Sequence, residues 1–258
     1  MTLQISWEIL RTTVSNRTVH KLAQPFSIRV LLCLIIKIEI KRLLMKFLLE
    51  EKVVSEIDYK SRKELKVEYP ELITAPSVTQ WLKDEKEEVF FKRAMKNPNS
   101  AVAKAVKAGT AAHRALETGV SKSELDEAVI DCFNTDILGD IDKVIGREET
   151  IVHPTGYNGK FDLVADFRGE YTIIDYKKSN KRRTPSTMKK YFAQLMAYRA
   201  GHQFLYPTHN ITQVAIINIY GVVPDDIKSN VVVLTPTQME EFENQFFLRV
   251  STGQCVGY

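Results

Sequence analysis

The spacing of apolar residues along this chain predicts an α/β protein. Apolar residues recur at helical spacing in four stretches, residues 85–95, 101–117, 123–133 and 186–204. β-Branched and aromatic residues, which favour strands, concentrate at 147–152, 160–167, 171–177, 211–220 and 230–234. A last helix is expected at 236–250. This order predicts a mixed central β-sheet flanked by helices, with a helical region at 77–133 on its N-terminal side.

The first 66 residues differ from the rest and are predicted to be an N-terminal extension. Residues 26–49 are apolar and basic, but their densest run is nine residues with an arginine, whereas a membrane span needs about twenty apolar residues. The basic residues before this run are compatible with a mitochondrial transit peptide. Alternatively, the working protein begins near Met45 and the preceding residues are dispensable. Residues 67–258 are expected to form the folded domain.

Composition narrows the class of protein. The chain has 258 residues, 44% of them hydrophobic, and a net charge of +4, which together predict one substantial core. The three cysteines, Cys33, Cys132 and Cys255, are widely spaced and form no Cys-x-x-Cys pair. We therefore expect neither a disulfide framework nor a zinc site, and three thiols are too few for an iron–sulfur cluster.

Two acids and a lysine stand out around the predicted strands. Residues two apart on a strand point to the same face, so Asp175 and Lys177 project together. The turn Arg168-Gly169-Glu170 would fold the strand 171–177 back on the run 160–167 and bring Asp162 near Asp175. An Asp-x-Lys on a strand is more often a solvated surface pair. The second acid and the apolar surroundings favour an active site here instead.

These residues suit divalent-metal chemistry. The carboxylates of Asp162 and Asp175, with the backbone carbonyl of Tyr176, offer the hard oxygen ligands of Mg²⁺ or Mn²⁺, and we expect two metal ions. The ammonium of Lys177 could orient or deprotonate an attacking water, or neutralise charge on a phosphate. These three roles remain open from the sequence.

At these positions the sequence resembles the PD-(D/E)XK nucleases of the RecB-like branch. The shared pattern is a Gly-x-x-Asp at 159–162, an Asp-x-Lys at 175–177, a Gln-x-x-x-Tyr at 194–198 and a Gly-Thr-x-x-His at 109–113. The likeness spans about residues 70–250 and is closest to the family of mitochondrial genome maintenance exonucleases and related phage exonucleases. The resemblance implies a restriction-endonuclease-like core. The sequence departs from the family's pattern at Lys178, where many relatives carry Thr.

The resemblance also implies further site residues. His113 and Glu148 become additional metal ligands, although a structural histidine and a surface glutamate are alternatives. Contacts to the nucleic acid are expected from Gln194 and Tyr198 and from a cluster of cations near the site. The cations of the predicted contact surface are Lys178, Lys181, Arg182, Arg183 and Lys190.

The resulting expectation is a Mg²⁺- or Mn²⁺-dependent deoxyribonuclease that acts as an exonuclease on single-stranded DNA ends. The alternatives are a flap endonuclease of the same fold and a non-catalytic module that binds DNA ends. DNA, preferably single-stranded, is the expected partner, and we expect no association with a membrane. The expected location is intracellular: the host cytoplasm for a phage or bacterial protein, and the mitochondrial matrix for a eukaryotic one.

Overall fold

The computed structural model of the protein describes residues 57–83 and 85–253. The predictions for the basic and apolar N-terminal segment, for a start near Met45, and for Cys33 and Cys255 lie outside these residues.

The helices form two groups along the chain. The helices before the sheet are α1 (Arg62–Glu68), α2 (Pro70–Thr74), α3 (Val78–Trp81), α4 (Glu85–Met95), α5 (Ala101–Thr118) and α6 (Glu124–Asp136); those after it are α7 (Pro185–Leu205) and α8 (Pro236–Thr252). Serine side chains accept hydrogen bonds from the first turns of α5 and α6, at Ser100 and Ser123, which explains where these helices begin. Among the described helices, none combines the length and the hydropathy that crossing a membrane requires.

Seven described strands form two sheets. They are β1 (Ile141–Arg147), β2 (Thr150–His153), β3 (Tyr157–Lys160), β4 (Leu163–Phe167), β5 (Glu170–Ser179), β6 (Gln213–Tyr220) and β7 (Lys228–Val233). The larger sheet has the order β1-β4-β5-β6-β7, with β5 and β6 parallel and the other pairs antiparallel. The strands β2 and β3 form a separate hairpin. This mixed sheet with helices on both faces confirms the predicted fold class, which is consistent with a restriction-endonuclease-like core.

Alternation along β5 divides the core between the two faces of the sheet. Ile173 belongs to the cluster that contains the apolar side of α7, whereas Ile174 belongs to the cluster formed with α5 and α6. Asp175 and Lys177 follow Ile173 in alternation and therefore face α7. Tyr176 follows Ile174, and its ring packs edge-on against Phe133 of α6 at 5.6 Å.

Two strand predictions are wrong in their boundaries. The sheet begins at Ile141, not at Arg147, because two register shifts in β1 break the alternation of apolar and polar residues that marks a strand. The run 160–167 is not one strand: Lys160 ends β3 and Leu163 begins β4. Asp162 therefore lies in the bend between them, where its backbone carbonyl accepts a hydrogen bond from the N–H of Glu148 at 3.1 Å.

Residues 57–66, which the sequence analysis groups with the N-terminal extension, pack on the domain. The hydroxyl of Tyr59 lies 2.9 Å from Nε2 of the buried His202 on α7, and its ring meets Phe161 edge-on at 5.8 Å. The ring also covers Gly146 of β1, where an added Cβ would lie 2.6 Å from it. This segment thus supports the chain just before Glu148 and just before Asp162.

The contact between Tyr59 and Gly146 generates a stability prediction. We expect Gly146→Ala to destabilise the protein by about 1–3 kcal/mol, because the methyl group overlaps a ring that the core holds in place. Gly139→Ala is the matched control, since no atom lies within 4 Å of its added Cβ. Urea denaturation measures both, and equal stabilities of the two variants would contradict the packing described.

Candidate metal centre

The site lies where the sheet opens between two of its central strands. β4 pairs with β5 only as far as Leu163 and Ile174, whereas β5 continues beside β6 as far as Ser179. The backbone of β5 beyond Ile174 therefore lacks β4 as a partner. The Asp162 carboxylate takes that place, because its Oδ2 accepts a hydrogen bond from the N–H of Tyr176 at 2.8 Å.

Three of the predicted ligands form a compact cluster at this opening. One ligand atom each from His113, Glu148 and Asp162 lies within 4.8 Å of the other two. Nε2 of His113 is 2.9 Å from Oε1 of Glu148, and its Nδ1 is 3.7 Å from Oδ2 of Asp162. The structure thus brings His113 from α5 and Glu148 from the turn after β1 to the carboxylate of Asp162.

Asp175 lies beside this cluster and is almost fully buried, with 1% of its surface exposed. Its Oδ2 is 2.5 Å from the ammonium of Lys177. That oxygen accepts no hydrogen bond of favourable geometry from the described residues. A buried carboxylate oxygen without a full complement of partners is costly in a protein core, and this atom is therefore available to a cation.

The residues present fit a divalent cation of the Mg²⁺ or Mn²⁺ type. The carboxylates of Glu148 and Asp162 converge with the imidazole of His113, and the carboxylate of Asp175 lies beside them. This cluster of described residues contains no thiol. The expected carbonyl ligand from Tyr176 stays a prediction, since it is the N–H of Tyr176 that contacts Asp162.

Burial and neighbouring charges set the protonation states of the cluster. Burial and the nearby Asp175 raise the pKa of Asp162 to about 7, against the lowering effect of Lys177 and His113. The hydrogen bond to Glu148 raises the pKa of His113 above its usual value, although burial opposes it. Burial alone would raise the pKa of Glu148, but the hydrogen bonds from His113 and Lys160 hold it below its usual range.

The cation of Lys177 is stabilised by the acids around it. Burial alone would lower the pKa of Lys177, but Asp175 and Asp162 together raise it above its usual value. The side chain is 21% exposed, so its ammonium faces the cleft in the charged form.

Lys160 is a site residue that the sequence analysis did not assign. Its ammonium forms an ion pair with Oε2 of Glu148, the glutamate whose backbone φ of 55° is unusual for a residue other than glycine. The sequence signal that could have identified Lys160 is its position two residues before Asp162, at the end of a strand.

The glycine of the Gly-x-x-Asp pattern has a packing reason. A Cβ at Gly159 would lie 2.5 Å from the ring of Tyr198, so only glycine lets this strand approach α7. Tyr198 itself is buried, with 4% of its surface exposed, and its hydroxyl accepts a hydrogen bond from Nε2 of Gln194 at 2.8 Å. This geometry makes Tyr198 a support for Gln194, and a contact of either side chain with nucleic acid stays a prediction.

The predicted basic residues differ in exposure and in their contacts. The ammonium of Lys178 donates to the carbonyl of Gly221 at 2.6 Å, and the side chain lines the same cleft as Lys177 and His113. Lys181 and Arg182 are exposed, whereas Arg183 and Lys190 are partly buried. A cleft of about 420 Å³ connects the cluster to the surface and is lined in part by Thr110, His113 and Lys177.

Comparison with known proteins points to one nuclease superfamily. Residues 143–246 match the family model of the PD-(D/E)XK nuclease superfamily. The matched range contains Glu148, Asp162, Asp175 and Lys177, but not His113. No curated protein matched the chain.

Solved structures with a similar arrangement include a proposed exonuclease from Eubacterium rectale, with 10% identity and a TM-score of 0.43 over 79% of this chain and 88% of that one. The alkaline exonuclease of Laribacter hongkongensis has 16% identity and a TM-score of 0.31 over 63% and 87% of the two chains. The structure of its complex with dAMP has 14% identity and a TM-score of 0.36 over 69% of this chain and 89% of that one. At such identities and TM-scores, these structures bear on neither the substrate nor the chemistry of this chain.

The raised pKa of Asp162 generates a prediction about pH and stability. Because burial and Asp175 raise the pKa of Asp162 to about 7, its ionisation destabilises the metal-free fold, and this effect grows as the pH rises from about 4 to about 7. Above pH 7, Asp162→Asn should therefore raise the melting temperature of the metal-free protein. Mn²⁺ should stabilise the wild-type protein more at pH 8 than at pH 6, and should not stabilise the variant comparably.

Thermal denaturation at pH 6, 7 and 8, with and without Mn²⁺, measures this effect. Asp166→Asn, in β4 and opposite Tyr171, is the control and should respond to Mn²⁺ as the wild type does. Equal stabilisation of wild type and Asp162→Asn by Mn²⁺ at pH 8 would show that Asp162 is not a ligand.

Proposed function

We propose that this protein is a PD-(D/E)XK nuclease that uses divalent metal ions to hydrolyse phosphodiester bonds in DNA, as an exonuclease on single-stranded ends. The observation that carries the proposal is the convergence of Asp162, Asp175 and Lys177 with His113 and Glu148 at the opening of the sheet. The family match over residues 143–246 supports the same conclusion. The narrower likeness to the RecB-like branch and to mitochondrial and phage exonucleases stays a prediction.

The carboxylates of Glu148, Asp162 and Asp175 would hold Mg²⁺ or Mn²⁺, with His113 as a further ligand. When bound, such ions lower the pKa of a coordinated water and offset the charge of the phosphate. The acids supply three negative charges in a site that burial keeps at a low effective dielectric, which favours divalent cations over monovalent ones.

Lys177 contributes as a cation in this mechanism. In the metal-free protein, Asp175 and Asp162 raise the pKa of Lys177, so the side chain is protonated at neutral pH. It can donate hydrogen bonds to the water and to a phosphate oxygen, where negative charge develops in the transition state. Orientation of the water and charge neutralisation are the roles open to this protonated form, whereas deprotonation of the water would require that a bound cation first offset the charge of Asp175 and Asp162.

A single-stranded substrate fits the size of the cleft. The cleft beside His113 and Lys177 has a volume of about 420 Å³, which is enough for one unpaired nucleotide. The exposed cations of Lys181 and Arg182 lie on the segment that follows β5 and would contact phosphates in a salt-dependent manner. The intracellular location expected from the sequence stays a prediction.

Metal dependence is the first test of the proposal. We expect cleavage of DNA in Mg²⁺ or Mn²⁺, none in EDTA, and a loss of at least about 1,000-fold in Asp175→Asn, because this change removes a charged ligand. The same variant should bind single-stranded DNA in Ca²⁺ as tightly as the wild type, or more tightly, since a negative charge near phosphate is gone. Asp166→Asn should cleave normally. Undiminished cleavage in excess chelator would rule out the proposed mechanism.

The requirement for an end is the second test. Linear single-stranded DNA should be degraded to short oligonucleotides, whereas a circle of the same sequence should be largely spared and a duplex attacked only where its ends fray. The physical reason is that unpaired bases bend and stack in a narrow cleft, whereas a duplex stays stiff over about 150 base pairs. Rapid cutting of the circle would favour the flap-endonuclease alternative, and binding without cleavage in any metal would favour the non-catalytic module.

A further inference from the structure

A tyrosine on α7 contacts two cations at the edge of the proposed active site. The ammonium of Lys177 lies 4.9 Å from the centre of the Tyr191 ring, and the guanidinium carbon of Arg183 lies 5.3 Å from the same centre. Both distances are within the range of a cation–π interaction. One aromatic ring therefore links the lysine of the Asp-x-Lys pattern to an arginine six residues further along the chain.

A buried amide fixes the backbone of both cations. Asn218 of β6 is fully buried; its Nδ2 donates to the carbonyl of Lys177 at 3.0 Å, and its Oδ1 accepts from the N–H of Arg183 at 3.0 Å. The segment between the two cations is therefore held against β6 at both ends. Arg183 differs in this respect from Lys181 and Arg182, which are exposed.

Arg183 lacks an acidic partner in the part of the chain that the structure describes. Its Nε is buried and makes no hydrogen bond, and no ion pair joins its guanidinium to a described acid. Lys177, by contrast, is paired with Asp175. Two cations of like charge on one ring, one of them without an acidic partner among the described residues, would attract an anion such as a phosphate.

We propose that Tyr191 positions Lys177 and Arg183 as a two-cation clamp for DNA phosphate, with Lys177 at the scissile group and Arg183 on a phosphate oxygen beside it. The inference rests on the proposed nuclease function and deepens it: it specifies the nucleic-acid contact that the sequence predicts for Arg183 and assigns a new role to Tyr191. Arg183 contacts the substrate, and Tyr191 is a positioning residue that acts through the two cations. A guanidinium offers two parallel donors to phosphate oxygens, which the exposed lysines of the same segment do not.

Replacing the ring without changing its shape tests the role of Tyr191. The experiment places phenylalanine and then its mono-, di- and trifluorinated forms at position 191 and measures single-turnover cleavage of saturating linear single-stranded DNA in Mn²⁺. Phenylalanine should retain the wild-type rate within about threefold, and each fluorine should lower the rate further, to a total loss of about 5- to 30-fold, because fluorine withdraws the π density that attracts a cation. Tyr191→Leu should lose at least as much.

The matched control repeats the substitutions at Tyr69, whose ring also carries a lysine, Lys60 at 5.8 Å, in the first helical group. Fluorination at position 69 should leave the cleavage rate unchanged. Melting temperatures of all variants show whether folding is intact. Since the fluorinated rings keep the packing volume, the test does not depend on whether Tyr191→Leu folds. A rate that is independent of fluorination at position 191 would overturn the role of the ring.

Arg183 is tested by binding and by coupling. In Ca²⁺, Arg183→Ala should reduce the slope of log affinity against log salt by about one, the loss of one phosphate contact, whereas Arg168→Ala at the distant β4–β5 turn should not change it. In the double variant with Tyr191→Leu, the loss of rate should be smaller than the product of the single losses. Independent, multiplying losses would show that ring and arginine do not act together.

Failure of the proposed function would give a different result. A wild-type protein that cleaves no DNA in Mg²⁺ or Mn²⁺ contradicts the nuclease, and the clamp is then decided by binding in Ca²⁺ alone. In that case an unchanged salt slope for Arg183→Ala overturns the clamp, and a slope reduced by about one supports it as a phosphate-binding site.

Discussion

The hydrogen bond from the N–H of Tyr176 to the carboxylate of Asp162 is the contact on which the site depends. A strand that continues beyond its neighbour leaves backbone groups without partners, and a buried N–H without a partner is costly. Here the side chain of Asp162 takes the place that a backbone carbonyl of β4 would otherwise occupy. The same bend separates β3 from β4 and brings the turn that carries Glu148 to Asp162. The same bend at Asp162 thus interrupts the sheet and brings the acids of the site together.

The acids of the site are balanced by cations of the chain itself. Glu148 is paired with Lys160 and His113, and Asp175 with Lys177. These pairs allow three carboxylates to fold close together without a metal ion, at the cost of a pKa for Asp162 that is raised to about 7. A divalent cation would compete with these pairs for the same oxygens. Lys160 and Lys177 would then be released toward the cleft, where phosphate is expected.

The sequence predicts the central part of this structure well and its edges poorly. The strand with Asp175 and Lys177 and the helix with Gln194 and Tyr198 follow from strong local patterns, and the structure confirms both elements. The sequence did not predict β1 because its two register shifts disrupt the alternation of apolar and polar residues by which a strand is recognised. The run 160–167 appeared continuous because nothing local shows that Asp162 caps the N–H of a residue fourteen positions away.

Side-chain roles were harder to predict than elements. Tyr198 matches a pattern that suggests contact with nucleic acid, yet its ring fills the space that Gly159 leaves, and only the packing of α7 on β3 reveals this. The pairing of Lys160 with Glu148 and the position of Tyr191 between two cations likewise depend on contacts between distant parts of the chain. A spacing pattern within one element cannot encode such contacts.

The central claim is that these side chains form a metal centre, and anomalous diffraction from crystals grown with Mn²⁺ tests it most directly. The account predicts a manganese peak at about 2.1 Å from carboxylate oxygens of Asp162 and Glu148 or Asp175, with at least one of Lys160 and Lys177 moved away from its acid. Crystals that show Mn²⁺ bound elsewhere, with this cluster unchanged and its ion pairs intact, would contradict it.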